Sequence, residues 1–179
     1  TTASGTVSQP SLLVPTITSY HDLNCFQDLS GSIDLSVSGS VAPYTYLWSN
    51  GATTQDISGL AIGTYAVTVT DAHNCTAGIS QLISQPTDVV HTTDTVAASC
   101  SNVFDGKITI NAGGGISPYQ YSLNGGPTQA GNQFTGLGAG TYTVYVYDAH
   151  GCADSSTAVI NNSYAVTGSI TNQTNVSCF

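Results

Sequence analysis

The sequence contains no glutamate, no arginine and no methionine, and Lys107 is its only lysine. Ten aspartates give a formal net charge of −9 at pH 7, although only 6% of the residues are charged. Binding to nucleic-acid phosphates depends on Lys and Arg, and attraction to an anionic membrane surface depends on the same side chains. The composition therefore excludes nucleic acid as a partner and argues against an anionic membrane surface.

Long apolar runs are missing too, and none approaches the roughly 20 residues of a membrane helix. We therefore expect no membrane insertion in this segment. No signal peptide opens the sequence, so we expect both termini to be cuts in a longer or already processed polypeptide. The five cysteines include no C-x-x-C pair. This favours disulfides in an oxidising, extracellular compartment over zinc, and the odd count predicts one partner outside the segment.

The residues that are abundant indicate a β protein. Hydrophobic residues make up 40% of the chain, and they alternate with threonine and serine. Disordered chains lack this β-branched and aromatic content. Together with 19 glycines, the pattern predicts an all-β fold with almost no helix.

One phrase occurs twice: residues 63–75 read GTYAVTVTDAHNC, and residues 140–152 read GTYTVYVYDAHGC. The four differences all fall on one parity. Three of them, at positions 66/143, 68/145 and 70/147, lie in the alternating stretch, where the other parity keeps Tyr, Val and Val. Alternate side chains of a strand point to opposite faces. The phrase therefore predicts a half-buried strand whose unchanged side chains face a core.

The rest of the chain repeats with the same period of about 75 to 78 residues. Cys25 aligns with Cys100 and Cys178, and Cys75 aligns with Cys152. We therefore predict two full repeats, at residues 11–86 and 87–163. Residues 1–10 would be the last strand of a preceding repeat, and residues 164–179 the first strand of a following one.

Each repeat reads as six or seven short strands separated by turns, which favours tandem immunoglobulin-like β-sandwich repeats of about 75 residues, arranged end to end. The first strand is predicted to end at Cys25 or Cys100, and Asn50-Gly51 to form a hairpin-type turn. Residues 60–65 and 137–142 have the pattern of a tyrosine corner, in which a Tyr bonds back to nearby backbone. The inward residues predicted for the second and third strands are Ile33, Leu35, Val37, Tyr46 and Trp48, and Ile108, Ile110, Ala112, Tyr121 and Leu123.

The motifs PYTYLWSNGATTQDISGL, GTY-V-VTD and the following Asn/Gly-Cys, with Cys six residues before Gly31, resemble the SprB-type repeat. This repeat occurs in tandem in very large cell-surface adhesins of gliding and related bacteria of the Bacteroidota. The resemblance covers both repeats; the second departs from the first in having Leu123 for Trp48 and two extra residues before Phe134. It implies secretion by the type IX system and a role in display, adhesion or gliding motility, and it carries over no catalytic residue.

Two features of the sequence resemble catalytic or metal-binding motifs. Asp71-Ala72-His73 and its repeat at 148–150 are acid–histidine pairs, but no nucleophile or open metal site is marked beside them. We expect a turn in which Asp accepts backbone N–H bonds. Calcium needs several oxygens at one place, and the scattered aspartates form no D-x-D-x-D-G run. We therefore expect no cofactor and no catalysis, with bound calcium as a weaker alternative.

The cysteine connectivity stays open at the level of sequence. Pairing within repeats would join Cys25 to Cys75 and Cys100 to Cys152, and leave Cys178 for the next repeat. In an immunoglobulin-like sandwich, however, these positions lie at opposite ends, and bridged Cα atoms must come within about 7 Å. If the repeats stack end to end, Cys25 would instead face Cys152 of the next repeat, and free thiols are the third possibility.

Two surface features remain. Asp94-Thr95-Val96 resembles the Asp-Ser/Thr-aliphatic pattern for O-glycosylation in this bacterial group, which makes Thr95 a candidate glycosylation site; an ordinary strand residue is the alternative. Tyr145 and Tyr147 replace two threonines on the water-facing side of the repeated phrase. They could contact a sugar or a partner surface, or pair across strands within their own sheet.

The sequence favours a non-enzymatic role as a stalk segment of an extracellular, cell-surface adhesin, with neighbouring repeats as its partners and surface glycans or cell-surface proteins as further ones. The alternative is a filament subunit in which residues 1–10 and 165–177 complete sandwiches of other chains by strand addition. A carbohydrate-binding module is the third reading.

Overall fold

The computed structural model of the chain describes residues 9–100 and 103–163. It divides into two compact units, Thr1–Asp88 with Gly114–Ile116, and Val89–Gly113 with Ser117–Phe179. The end strands predicted at residues 1–10 and 164–179 fall almost entirely outside the described residues, as does Cys178.

The first unit contains six strands in two sheets. They are β1 (Val14–His21), β2 (Gly31–Ser38), β3 (Thr45–Trp48), β4 (Ile57–Leu60), β5 (Gly63–Thr70) and β6 (Thr76–Ile83). One sheet has the order β1-β2-β4 and the other the order β3-β5-β6. All pairs are antiparallel, for example Val67 of β5 with Ile79 of β6.

The second unit repeats this arrangement. Its strands are β7 (Val90–Val96), β8 (Gly106–Gly113), β9 (Gln120–Leu123), β10 (Gln133–Leu137), β11 (Gly140–Tyr147) and β12 (Ala153–Ile160). The sheets have the orders β10-β8-β7 and β12-β11-β9, which match those of the first unit strand for strand. The described residues contain no helix.

The strand order is that of an immunoglobulin-like sandwich. In that fold the first, second and fifth of its lettered strands share one sheet, and the third, sixth and seventh share the other. The six strands of each unit follow this division if the fourth lettered strand is absent. The predicted all-β, immunoglobulin-like fold is therefore confirmed.

In both copies of the repeated phrase, at residues 63–75 and 140–152, the valine side chains that are identical between the two units face the core. Val67 and Val69 of β5, and Val144 and Val146 of β11, are buried between the two sheets of their unit. The inward residues predicted for the second and third strands all belong to these cores or pack against them.

Both tyrosine corners are present. The hydroxyl of Tyr65 donates to the carbonyl of Ala61 at 3.1 Å, and that of Tyr142 donates to the carbonyl of Gly138 at 3.0 Å. Each bond fixes the loop that leads from one sheet into the other.

Two details of the strand prediction are wrong. β1 and β7 end at His21 and Val96, several residues before Cys25 and Cys100, because the chain turns into a loop fixed by aspartate hydrogen bonds. Asn50-Gly51 does form a tight turn, in which Trp48 N–H bonds to Ala52 O at 2.9 Å. The turn is not a hairpin between paired strands, since β3 and β4 belong to different sheets.

Each unit has two distinct ends, which we call the N-terminal pole and the C-terminal pole. In the first unit the N-terminal pole carries the segment before β1, the β2–β3 loop and the β5–β6 loop, where Ala72 N–H bonds to Val41 O at 3.0 Å. The C-terminal pole carries the β1–β2 loop and the chain after β6, joined by a 3.0 Å bond from Leu23 N–H to Ser84 O. In the second unit Ala98 N–H bonds to Asn161 O at 3.0 Å at the equivalent C-terminal pole.

Gly31 and Gly106 begin the second strand of their units at equivalent positions. A Cβ on Gly31 would lie 2.8 Å from Leu60 O and 2.9 Å from Ile83 Cγ2. A Cβ on Gly106 would lie 2.7 Å from Leu137 O and 3.0 Å from Ile160 Cγ2. Glycine is needed here because the neighbouring strand and the core approach the backbone too closely for a side chain.

Candidate functional site

The poles carry the cysteines and are the candidate functional site of each unit. At the N-terminal pole of the first unit, Asp71 Oδ1 accepts the backbone N–H groups of His73 and Cys75 at 2.8 and 2.7 Å. Asp148 Oδ1 does the same for His150 and Cys152 at 2.8 and 2.9 Å. The predicted aspartate-capped turn is confirmed in both units.

Asp71 is 5% exposed and remains a good hydrogen-bond acceptor. The Ser40 hydroxyl bonds its second oxygen. This bond, with those from the N–H groups of Cys75 and His73, lowers the pKa of Asp71 below its ordinary value, against an opposing effect of burial. The carboxylate therefore holds the cysteine loop as a charged acceptor at neutral pH.

A cleft of about 370 Å³ opens beside this loop in the first unit. Its lining includes Pro10, Leu12, His73, Cys75 and Ala77. Leu12 is 80% exposed, although it is a large aliphatic side chain. The N-terminal pole thus presents an open, partly apolar surface next to a cysteine.

The C-terminal pole presents its cysteine on the loop between the first two strands. In the first unit Asp28 Oδ2 accepts Cys25 N–H at 2.9 Å, and Asp28 Oδ1 accepts Ser30 N–H at 3.1 Å. Burial acts to raise the pKa of Asp28, but the hydrogen bonds from Ser30 and Cys25 outweigh it and lower the pKa. The loop is therefore fixed around a charged aspartate.

The equivalent loop of the second unit uses a different aspartate. Asp105 Oδ1 accepts Ser99 N–H at 2.8 Å, and hydrogen bonding from Ser99 lowers the pKa of Asp105. Phe104, next to Asp105, is 70% exposed. A Cβ at Gly138 would lie 3.1 Å from the Phe104 ring, so the glycine makes room for the ring against the backbone. An exposed aromatic side chain thus lies on the cysteine loop with its ring close to Gly138.

The cysteines differ in state. Cys25 and Cys152 are disulfide-bonded, whereas Cys75 and Cys100 are free and exposed. The within-repeat pairs Cys25–Cys75 and Cys100–Cys152 are therefore wrong.

The physical reason is the length of the last strand. Cys75 immediately precedes β6, and the Cys25 loop bonds to the chain after β6, where Gln27 N–H meets Gln85 Oε1 at 3.0 Å. A strand of eight residues is about 26 Å long at roughly 3.3 Å per residue, far beyond the ~7 Å that a disulfide spans. The second unit has the same separation. Cys152 immediately precedes β12, whereas Cys100 lies on a loop that bonds to the chain just after β12.

Thr95 lies on β7 with an exposed side chain, opposite Ile108 of β8. The neighbouring Asp94 carboxylate accepts a hydrogen bond from Asn111 Nδ2 at 2.9 Å. A glycan on Thr95 would meet no steric obstacle from burial, and modification there remains a prediction.

Tyr145 and Tyr147 stack on each other along β11. Their ring centroids are 6.3 Å apart and their planes differ by 13°. Their cross-strand neighbours are small or polar: Ser122 and Ser155 for Tyr145, and Gln120 and Ala153 for Tyr147. The alternative of aromatic pairing across strands is therefore wrong, because each ring finds its aromatic partner two residues along the same strand.

His91 was not singled out by sequence reasoning. Its Nδ1 lies 2.8 Å from Asp154 Oδ2 and its Nε2 lies 2.7 Å from Ser156 Oγ. The imidazole is 1% exposed. Because His91 lies on β7 and its partners on β12, it connects the two sheets of the second unit. No sequence motif marks it, since the first unit has Thr16 at the equivalent position.

Among residues 9–100 and 103–163, no three His, Cys, Asp or Glu side chains gather in a way that could hold a metal ion. The same residues include no helix with the length and apolar character of a membrane span.

Comparison with known protein families gives a match in both units. A family model described as the SprB repeat matches residues 17–53 and 92–128, which are equivalent segments of the two units. No curated protein matches the chain.

Solved structures that are similar to this chain include the following two. The N-terminal eight Ig domains of Down Syndrome Cell Adhesion Molecule (DSCAM) isoform 1.30.30 show 11% identity and a TM-score of 0.40, over 85% of this chain and 25% of that one. The fibronectin(III)-like modules of Clostridium thermocellum CbhA show 16% identity and a TM-score of 0.34, over 89% of this chain and 100% of that one.

The chain spans less than half the length of the DSCAM structure, and at these TM-scores neither likeness adds to the assignment from strand order. The family match agrees with the resemblance seen in the sequence. The SprB repeat model thus matches two equivalent segments of this chain, residues 17–53 and 92–128.

Proposed function

We propose that this chain is a structural segment of an extracellular stalk, in which SprB repeats follow one another and hold an adhesive region away from the cell surface. The observation that carries the proposal is the placement of the chain ends. In each unit the chain enters at the N-terminal pole and leaves at the C-terminal pole, at the far end of an eight-residue last strand. Many such units can follow one another along a chain without steric overlap. The stability of each unit then depends on its own core and on its contacts with the nearest neighbours.

The surface chemistry supports this role. A net charge of −9 keeps a long protein soluble and discourages contact with other acidic surfaces. The SprB repeat implies a cell-surface location, export by the type IX system and use in attachment or gliding, and these finer assignments are part of the proposal. Variable loops, such as residues 124–132, are the places where adhesive specificity could lie.

The experiment that tests the proposal is the mass of the polypeptide that contains this sequence, measured from its native source under reducing and denaturing conditions. Antibodies raised against residues 9–163 would detect it on a gel, and mass spectrometry of the band would count the repeats. We expect hundreds of kilodaltons. A mass near the 18.3 kDa of this chain would contradict the stalk and favour a filament subunit that assembles by strand addition.

A carbohydrate contact is a second candidate, favoured by the stacked Tyr145–Tyr147 pair. Both rings are partly exposed on the outer face of β11, and aromatic faces stack on sugars. A glycan array should lose its signal with Tyr145→Ala/Tyr147→Ala. The matched control is Thr68→Ala/Thr70→Ala at the equivalent positions of β5. Equal binding by both variants would remove this candidate.

A further inference from the structure

We infer that Cys75 and Cys100 are half-cystines whose partners lie in other repeats. The surface that carries Cys100, Val103 and Phe104 docks onto the cleft beside Cys75 in a repeat of another chain, and a disulfide bond joins the two. The inference rests on the proposed tandem stalk and names the contact that joins its repeats.

The first support comes from the equivalent positions within this chain. Cys100 aligns with Cys25, which is disulfide-bonded, and Cys75 aligns with Cys152, which is also disulfide-bonded. The two free cysteines therefore occupy positions that form disulfides in the other repeat. Both positions are therefore suited to a disulfide, and Cys75 and Cys100 are the free cysteines among residues 9–100 and 103–163.

The second support is that neither cysteine has a partner within reach in its own repeat. Cys75 is at the N-terminal pole of its unit and Cys100 is at the C-terminal pole of its own, separated from their repeat mates by the full length of β6 or β12. Every repeat thus offers one cysteine at each pole, and only a cysteine from another repeat can meet it.

The third support is the shape and chemistry of the two surfaces. The cleft beside Cys75 is partly apolar and holds about 370 Å³, enough for an aromatic side chain. The Cys100 loop offers Phe104, 70% exposed, and Val103, 38% exposed. Large exposed apolar residues that flank a free thiol at both poles indicate a surface that a partner covers.

Cys75 is also held in place before it reacts. The Asp71 carboxylate accepts a hydrogen bond from Cys75 N–H at 2.7 Å. A loop that is already ordered loses less conformational entropy on association. Docking at the N-terminal pole therefore does not have to order the loop that carries Cys75.

The chemistry requires an oxidant, which we take to be a small-molecule disulfide such as oxidised glutathione. The thiolate of one cysteine attacks this disulfide, forms a mixed disulfide and releases one reduced thiol. The second cysteine then attacks the mixed disulfide, so that the protein S–S bond forms and a second reduced thiol leaves. Two protein thiols are oxidised and one small disulfide is reduced to two thiols.

The test uses the full chain with Cys178→Ser, so that Cys75 and Cys100 are the reactive thiols. An equimolar mixture of ¹⁵N-labelled and unlabelled chain is incubated in a glutathione redox buffer, blocked with an alkylating agent and mapped by non-reducing peptide mass spectrometry. We expect cross-linked multiples of 18.3 kDa, joined by mixed-isotope Cys75–Cys100 peptides in excess over Cys75–Cys75 and Cys100–Cys100. The same reaction in denaturant should lose that excess.

A second variant tests the docking itself. Phe104→Ser should slow Cys75–Cys100 coupling by roughly tenfold, because burying such a side chain is worth at least 1.4 kcal/mol. The modification of Cys100 by a small aromatic disulfide should keep its rate. The matched control is Val159→Ser, which changes another exposed apolar residue of the second unit and should leave coupling unchanged.

The outcomes separate this inference from the proposed function. Symmetric cross-links, glutathione adducts alone, or Cys75–Cys100 bonds only between like isotopes would overturn it. A parent polypeptide of many repeats whose Cys75 and Cys100 are free thiols would also overturn it, yet would leave the stalk intact. A parent near 18.3 kDa that still forms mixed-isotope Cys75–Cys100 links would overturn the stalk and keep the docking of pole on pole.

Discussion

The hydroxyl of Tyr65 donates a hydrogen bond to the carbonyl of Ala61, four residues earlier, at 3.1 Å. Tyr142 makes the same bond to Gly138 in the second unit. We expect Tyr65→Phe to lower the free energy of unfolding of the first unit by about 1–2 kcal/mol, because the partly buried carbonyl loses its donor.

Hydrogen exchange followed by mass spectrometry would measure this effect, since peptides from the two units report separately. Exchange should accelerate in residues 11–86 for Tyr65→Phe and in residues 87–163 for Tyr142→Phe. Tyr20→Phe is the control, because Tyr20 is 53% exposed on β1. Equal effects of all three variants would mean that the corners contribute no more than any tyrosine.

The lowered pKa values of Asp28, Asp71 and Asp105 predict how stability depends on pH. A carboxylate whose pKa is lower in the folded state stabilises the fold above its unfolded value of 3.8. This stabilisation is lost as the pH falls through the lowered folded value. Urea midpoints should therefore be flat near neutral pH and fall with acidification below about pH 4.

Asp71→Asn should make that acid dependence shallower in the first unit, since one linked proton is removed. Asp88→Asn, which changes an exposed aspartate between β6 and β7, serves as the control. A profile for Asp71→Asn that is parallel to that of the native chain down to pH 2 would contradict the assignment of this carboxylate.

The buried His91 connects the two sheets of the second unit through Asp154 and Ser156. Replacing it with alanine should cost the second unit about 1–3 kcal/mol, because two hydrogen bonds are lost and a buried space is left. Calorimetry of the full chain should show a lower transition temperature for one of two unfolding steps. His21→Ala, at an exposed position on β1, should shift neither step.

The close approach at Gly31 and Gly106 predicts that alanine is not tolerated there. The added methyl group would lie 2.8 Å from Leu60 O in one unit and 2.7 Å from Leu137 O in the other. We expect a loss of about 1–3 kcal/mol from each substitution, as for other overpacked sites. Gly131→Ala is the control, since the nearest atom to its added methyl group would be 3.7 Å away. The denaturant midpoints of unfolding are compared among the three variants, and only that of Gly131→Ala should equal the midpoint of the native chain.

The fold could be predicted from the sequence because hydrophobic and polar residues alternate along its strands and because the whole strand pattern occurs twice. Two copies of one phrase show which side chains vary, and the invariant Val67 and Val69 are those that the structure buries. The tyrosine corner and the Asp71 turn were predictable for a related reason. Both are local, with donor and acceptor no more than four residues apart.

The features that sequence reasoning missed join residues far apart in the chain. His91 meets Asp154 across 63 residues, and the two units differ at this position, so no repeat pattern marks it. The position of Phe104 depends on the absence of a side chain at Gly138. The cysteine states depend on which pole each loop occupies, and this becomes clear only when the direction of β6 and β12 is known.

The opposite placement of the chain ends has a mechanical consequence. When a unit is pulled by its neighbours, the load enters β1 at one pole and leaves β6 at the other, along the strand axes. The hydrogen bonds between β1 and β2, and between β5 and β6, run across this direction. They are therefore loaded in shear and must fail together, rather than one at a time as in a zipper, so a unit of modest thermodynamic stability can still resist being drawn out under tension.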